Sequence, residues 1–173
     1  KYKMMTPNYQ HLEDEQIPKI FSEDKKVQLN VIAGTQNDES GLIQTQTAVN
    51  VFTANADENG KLEIEIPENH QSLIYLLDGE ILVNDVEVLK KGENQMITFN
   101  QNGDMIKFKA KKKSTLLILS GEPIREKISQ YGPYVMNTQT EIMEAMRDYQ
   151  KGKMGHLYKY LGVPRKGLRF RQS

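Results

Sequence analysis

The sequence predicts an all-β sandwich or barrel with one amphipathic helix near its C-terminal end. Three observations support this prediction: short segments alternate apolar and polar residues, turn residues separate them, and a later segment switches to helical periodicity. Short strands separated by turns are typical of antiparallel sandwiches and barrels, whereas strands that alternate with helices would indicate a parallel sheet.

The first predicted strands follow an irregular lead-in, which we assign to residues 1–26. In VQLNVIAG, Val27, Leu29 and Val31 share one face, with polar residues between them. TAVNVFTANA repeats the pattern, and we expect Val49 and Val51 to form its apolar face.

The segment KLEIEI is the clearest predicted strand. Leu62, Ile64 and Ile66 alternate with polar residues and are expected to point into the core. Glu63 and Glu65 share the opposite face, and paired carboxylates could in principle serve acid–base chemistry. Because the apolar set occupies the other face, we interpret the two glutamates as a solvated strand surface.

Later strands are predicted in SLIYLLDGEILV, QMITF, MIKFKA and STLLILSG. The nearly continuous apolar run 73–77 is expected of a strand that is covered on both faces. Asp78-Gly79 predicts a hairpin turn, and Asn84-Asp85 predicts a second turn.

The segment TQTEIMEAMRDYQKG predicts a helix over about residues 139–151. Thr138 can cap its first turn, with Glu141 three residues later as the capping-box partner. Gly152 stands where a left-handed residue commonly ends a helix. One stripe of the helix is apolar and consists of Ile142, Ala145, Met146 and Tyr149.

Composition excludes several classes of function. The chain has 173 residues, with 23 basic and 23 acidic side chains, so its net charge favours neither nucleic acid nor membrane as a partner. No apolar run reaches the length of about 18 residues that a membrane span needs. The absence of cysteine excludes disulfides and thiolate chemistry, and it fits a reducing cytoplasm, which we expect to be the location.

Candidate catalytic residues are scarce. His11, His70 and His156 lie far apart in the chain and match no metal-binding spacing, and we expect each to be a surface histidine. No nucleophile-elbow or phosphate-binding glycine motif is present. An enzyme whose ligands converge from distant positions, such as His11 and His70, is the remaining catalytic alternative.

Several segments, in order and at matching spacing, resemble the pirin family of two-domain cupin proteins. They are the opening KYKMMTPNYQHLEDEQIPKI, VQLNVIAG, LIYLLDGEILV and, most specifically, SGEPIREKISQYGPYVMNTQTEIMEAMRDYQKGKMG. The opening resembles the family's interdomain linker, and the rest resembles its second cupin. The resemblance implies a cupin-type double-stranded β-helix over residues 27–155, which includes the C-terminal helix.

The family's N-terminal cupin holds a transition metal, such as iron, through three histidines and a glutamate. By resemblance, the corresponding positions of this chain are Glu65, Pro67 and, in the second motif, the region around Lys107. These residues do not form such a ligand set. We therefore expect no catalytic, cofactor-binding or metal-binding residue in this chain.

The resemblance implies that the chain is a metal-free C-terminal cupin that supports an N-terminal cupin of the same protein. The parent protein would be similar to quercetin 2,3-dioxygenase, while this chain alone would not be catalytic. The alternative is a protein–protein interaction module of a transcriptional or metabolic cofactor, with Ile142, Met146 and Tyr149 as its interaction face. The same stripe could instead pack on its own barrel.

Three further expectations concern the surface and the ends of the chain. A domain that lacks its partner half should expose an apolar face, so we expect a homodimer or a larger species. The start without Met suggests a piece of a longer protein. Residues 156–173 form a basic tail, for which disorder and a basic docking segment are the alternatives.

Overall fold

Two antiparallel sheets enclose a common core in the first of two structural units, which ends at Ile124. The computed structural model describes residues 2, 3, 5, 6 and 8–155. In chain order, the elements of the first unit are a 3-10 helix, Asp14–Gln16, and the strands β1 (Lys19–Phe21), β2 (Val27–Ala33), β3 (Thr35–Gln36), β4 (Glu39–Ser40), β5 (Val49–Ala56), β6 (Lys61–Glu65), β7 (Gln71–Asp78), β8 (Glu80–Val83), β9 (Glu87–Lys90), β10 (Met96–Thr98), β11 (Met105–Ala110) and β12 (Ser114–Gly121).

The larger sheet has six strands in the order β1-β2-β5-β12-β7-β10, and the smaller has four in the order β6-β11-β8-β9. Strand β12 lies in the middle of the larger sheet. It pairs with β5 on one side and with β7 on the other, both antiparallel. The all-β prediction is therefore confirmed, with strands that are distant in sequence as neighbours in space.

The core lies between the two sheets, as the alternating patterns predict. Val27, Leu29 and Val31 of the larger sheet are fully buried. Ile64 of β6, in the smaller sheet, belongs to the same core cluster. Burying one such aliphatic side chain stabilises the fold by roughly 1.5–3 kcal/mol. Glu63 lies on the solvated face of β6, as predicted.

Strand β5 has the opposite orientation to the one predicted. Phe52 and Ala54 are fully buried, whereas Val49 and Val51 are only half-buried on the other face. Asn50 belongs to the buried set, so a polar residue on the inner face disguises the alternation. The pairing of β5 with β12 decides which set of side chains points inward.

The prediction of a hairpin at Asp78-Gly79 is wrong. Strand β7 belongs to the larger sheet and β8 to the smaller, so the glycine marks a corner between sheets. Gly79 has a φ of +93°, which favours glycine. Asn84 and Asp85 do form the predicted turn: both have positive φ and connect the paired strands β8 and β9.

The predicted irregular lead-in contains regular structure. Strand β1 extends the edge of the larger sheet by pairing with β2, and Ile20 packs against the core. A strand of three residues is too short to display periodicity, so the sequence pattern did not reveal it.

The second unit begins at Arg125 and holds the predicted helix. Its described elements are β13 (Ser129–Tyr131), β14 (Tyr134–Met136) and α1 (Gln139–Gln150). Strands β13 and β14 form an antiparallel hairpin that α1 contacts.

The predicted helix signals of the second unit are confirmed. Thr138 Oγ1 accepts from the Glu141 backbone at 3.2 Å, and Glu141 Oε2 accepts from the Thr138 backbone at 2.8 Å. Such a cap contributes about 1 kcal/mol. Gly152 follows the helix with a φ of +70°. In the described part of the chain, no helix has the length and hydrophobicity needed to cross a bilayer.

Candidate functional site

One end of the core of the first unit is polar. Along the larger sheet, successive inward rows are defined by strand pairing, because paired residues point to the same face. Phe52, Ile118 and Ile74 form an apolar row, since Ile118 pairs with both of the others. The next inward row toward this end is Asn50, Ser120 and Ser72. The inner surface therefore changes from hydrocarbon to amide and hydroxyl groups within one pleat.

A buried histidine lies beside this polar row. His70 precedes β7 and is only 6% exposed, and its Nδ1 lies 3.1 Å from Ser120 Oγ. The prediction that His70 is a surface histidine is therefore wrong. Its partner Ser120 is also buried and comes from the central strand β12. The sequence contained no local signal for this contact, because the two residues are 50 positions apart.

A cavity of about 360 Å³ opens at this polar end. Loops and strand ends from both sheets contribute to its wall. Its apolar lining comes from Ile66, Phe99, Met105 and Ile106. Its polar lining includes His70, Ser72, Asn84, Thr98, Asn100 and Asn102. Apart from His70, none of the lining residues that the structure describes is acidic or basic.

The positions that correspond to the family's metal ligands are not built for a metal. Glu65 is exposed, and Pro67 has no ligand atom. Lys107 is exposed, and its Nζ lies 2.7 Å from Glu63 Oε1. This hydrogen bond, together with the attraction between the two charges, raises the pKa of Lys107 above its ordinary value. A protonated ammonium group has no lone pair to offer a metal, so the residues present do not fit a cupin metal.

The other predicted histidines do not join His70. His11 is exposed and its Nε2 lies 2.9 Å from Glu13 Oε1. His156 lies outside the described residues, as does the whole predicted basic tail 156–173. Within the described ranges, no group of three or more histidine, aspartate or glutamate side chains could hold a metal ion.

The outer surface of the larger sheet carries an apolar ladder, which we call the outer apolar face. Leu117 of β12 pairs with Tyr75 of β7, and Tyr75 pairs with Met96 of β10. Tyr75 is 38% exposed, Leu77 47% and Met96 53%. In the part of the chain that the structure describes, the apolar run 73–77 therefore has one buried side and one open side.

The residues of the predicted interaction stripe on α1 differ in their exposure to solvent. Ile142 is buried, Met146 is half-buried, and Tyr149 is 65% exposed. Ala145 is buried with Ile142, so the N-terminal part of the stripe is packed and its C-terminal end is open. Met143, outside the predicted stripe, adds a further exposed apolar side chain.

Comparison with known proteins agrees with the fold. Residues 51–155 match the family model described as the pirin C-terminal cupin domain. The chain belongs to this family. Pirin from Rattus norvegicus is 32% identical over 155 residues, which are 88% of this chain and 53% of that protein.

Two further relatives support this family assignment. A pirin-like protein from Solanum lycopersicum is 30% identical over 156 residues, with 90% of this chain and 53% of that protein covered. The crystal structure of quercetin 2,3-dioxygenase from Acinetobacter baumannii is 36% identical, with a TM-score of 0.78, and the match covers 87% of this chain and 52% of that one. The chain thus spans about half the length of the curated relatives that it matches.

Proposed function

We propose that this chain is the metal-free C-terminal half of a pirin-type protein and that it supports a metal-binding N-terminal cupin. The observation that carries the proposal is the outer apolar face of the larger sheet. Strand β7 is apolar on both sides and therefore needs cover on both sides, but the described first unit supplies its core on one side only.

The length of the relatives indicates what covers the outer apolar face. The relatives are about twice as long as the matched part, and the match is to a C-terminal cupin domain. A second cupin of the same protein is therefore the occupant that we assign to Tyr75, Leu77 and Met96. Burial of these side chains would contribute roughly 25 cal/mol for each Å² of apolar surface removed from water.

The parent protein, on this proposal, uses a transition metal in its N-terminal cupin for dioxygenase chemistry similar to that of quercetin 2,3-dioxygenase. Glu65, Pro67 and Lys107 of this chain supply no ligand set. Its own contribution is mechanical: it removes an apolar surface of the other cupin from water and fixes that domain's position.

The proposal is tested by mixing the chain with the separately produced N-terminal cupin of a pirin-family protein and measuring association by titration calorimetry. We expect saturable binding that Leu77→Lys weakens at least tenfold, which corresponds to about 1.4 kcal/mol. Met96→Lys, on the edge strand β10, should have the same effect. Val86→Lys is the matched control, because Val86 is 77% exposed in the β8–β9 turn, away from this face.

The outcome that would contradict the proposal is equally specific. If the N-terminal cupin does not bind, or if Leu77→Lys and Val86→Lys bind equally well, the outer apolar face is not the interdomain surface. The thermal midpoint of the N-terminal cupin provides a second measure, since a supporting domain should raise it by mass action.

The exposed end of the helical stripe favours a second function, that of a protein–protein interaction module. Tyr149 and Met143 are both more than half exposed on α1, and tyrosine is enriched at interfaces. In this case Tyr149→Ala would abolish binding of a protein partner while leaving the association with the N-terminal cupin unchanged. The two functions can therefore be distinguished: Leu77→Lys should weaken association with the N-terminal cupin, whereas Tyr149→Ala should weaken binding of another protein partner.

A further inference from the structure

The cavity at the polar end of the core contains one buried side chain with an unused hydrogen-bonding atom. His70 is 6% exposed, and among the described residues its ring has one hydrogen-bond partner, Ser120, which Nδ1 contacts. Among the described residues, every fully buried side-chain nitrogen or oxygen has a hydrogen-bond partner. Nε2 has none, so it retains contact with open space, and the open space that His70 lines is the cavity.

The contact with Ser120 connects the tautomer of the ring with the hydrogen bond that Nε2 can make. Nδ1 is the hydrogen-bond partner of the Ser120 hydroxyl in this buried setting. If the Ser120 hydroxyl donates to Nδ1, its hydrogen has an acceptor in this buried setting. A neutral ring in this tautomer has its proton on Nε2, which can then donate to a ligand in the cavity.

The remaining wall selects for a neutral molecule. The polar side chains beside His70 are amides and hydroxyls, which can hydrogen-bond to a ligand but cannot neutralise a charge. Asn84 is fixed by its Oδ1, which accepts from the Lys107 backbone at 2.8 Å, so its amide nitrogen remains available as a donor. Phe99 and Met105 provide apolar surface for the body of a ligand.

The dimensions agree with a small ligand. The cavity volume of about 360 Å³ lies at the lower end of the range for small-molecule sites, about 300–1,000 Å³. The wall is more polar than the mostly apolar wall that is usual in such sites, so hydrogen bonds should supply much of the affinity. A single ring with a short polar substituent is of the right size.

We propose that His70 adopts this tautomer and that the cavity binds a small neutral carbonyl compound, whose oxygen accepts a hydrogen bond from His70 Nε2. The body of the ligand packs against Phe99 and Met105, and the amides at the rim complete its polar contacts. The site lies in the first unit alone and goes beyond the supporting function, because it requires no N-terminal cupin.

Benzamide is a suitable probe, with benzoate as a charged molecule of the same shape. In a titration of the ¹⁵N-labelled chain followed by NMR, we expect saturable shifts with a Kd of about 1 mM for residues 98–106 and for the His70 ring. Benzoate should bind at least tenfold more weakly, because no cation in the wall compensates its charge. Absence of saturable shifts, or equal binding of benzoate, would overturn the proposal.

Two substitutions locate the site. His70→Phe removes the donor and should weaken benzamide binding at least tenfold, provided that its spectrum shows a folded chain. Asn100→Asp lies at the exposed rim and leaves the core untouched, and it should weaken benzamide binding and create binding of the benzamidinium cation. If Asn100→Asp changes neither affinity, or if folded His70→Phe binds as well as the original chain, the cavity is not the site. Because only this chain is used, these outcomes are independent of the calorimetric test with an N-terminal cupin.

Discussion

The hydroxyl oxygen of Ser114 occupies the space that a β-carbon on residue 79 would need. Ser114 is 2% exposed, and its Oγ accepts from the Glu80 backbone at 3.0 Å and donates to the Lys112 carbonyl at 2.7 Å. Gly79 thus allows the corner between β7 and β8 to rest directly on the beginning of β12. The connection between the two sheets is thereby fixed to the central strand.

Replacing Gly79 by alanine should destabilise the protein strongly. The positive φ costs about 1 kcal/mol, and the overlap with Ser114 and with the Lys113 carbonyl adds roughly 1–3 kcal/mol. Gly92→Ala is the matched control, because Gly92 has a similar φ of +81° and a β-carbon there would meet nothing within 4 Å. Urea unfolding should therefore show a loss for Gly79→Ala that exceeds the loss for Gly92→Ala. Equal losses would mean that the corner can move away from β12.

The turn before β2 predicts a dependence of stability on pH. Ser22 Oγ donates to Asp24 Oδ1 at 2.6 Å and the Lys26 backbone donates to the same oxygen at 3.0 Å, and these bonds lower the pKa of Asp24. Because the pKa of Asp24 is lowered in the folded state, its charged carboxylate stabilises the fold at pH values above 3.8, the ordinary pKa of an aspartate. This contribution is lost as the pH falls through the lowered pKa.

The variant Asp24→Asn tests this dependence. It should have a lower urea midpoint than the original chain at about pH 7, and the difference should shrink at about pH 2. Asp57→Asn controls for the loss of one exposed negative charge. A difference that stays constant with pH would show that the hydrogen bonds to Asp24 contribute equally in both charge states.

The outer apolar face predicts self-association of the chain in the absence of an N-terminal cupin. Exposed apolar patches of neighbouring strands, such as Tyr75 and Met96, favour contact between copies. Light scattering should show a mass that rises with concentration, and Leu77→Lys should keep the chain monomeric while Val86→Lys does not. A monomer at high concentration would argue against a large open apolar face.

The ligand-poor positions predict the metal content of the purified chain. Because Glu65, Pro67 and Lys107 form no ligand set, elemental analysis should find well below one transition-metal ion per chain. A flavonol-oxygenase assay on the same sample should show no activity. About one bound metal per chain would contradict this prediction and make His11, His70 and His156 the first residues to mutate.

Features that depend on residues close together in the sequence could be predicted, whereas features that depend on distant residues could not. The capping box of Thr138 and Glu141 involves residues three positions apart, and the structure reproduces it. The orientation of β5 depends on its pairing with β12, about 60 residues later, and the inward Asn50 hid it.

The candidate site was the least predictable part for the same reason. His70 follows a proline in a polar stretch, which is typical of an exposed turn. Its burial and its hydrogen bond come from Ser120, which no local pattern connects with it. The cavity likewise collects residues from separate strands and loops, so its composition emerges only after the chain has folded.

The position of β12 also has a consequence for synthesis. Strands β1, β2 and β5 on one side and β7 and β10 on the other become one sheet only through β12, which is the last strand of the first unit to leave the ribosome. Until Gly121 emerges, the two halves have open edges, and such edges are sites of aggregation. A nascent chain that stalls before Ser114 would therefore depend on chaperones, and pairings this distant in sequence predict slow folding even for the finished domain.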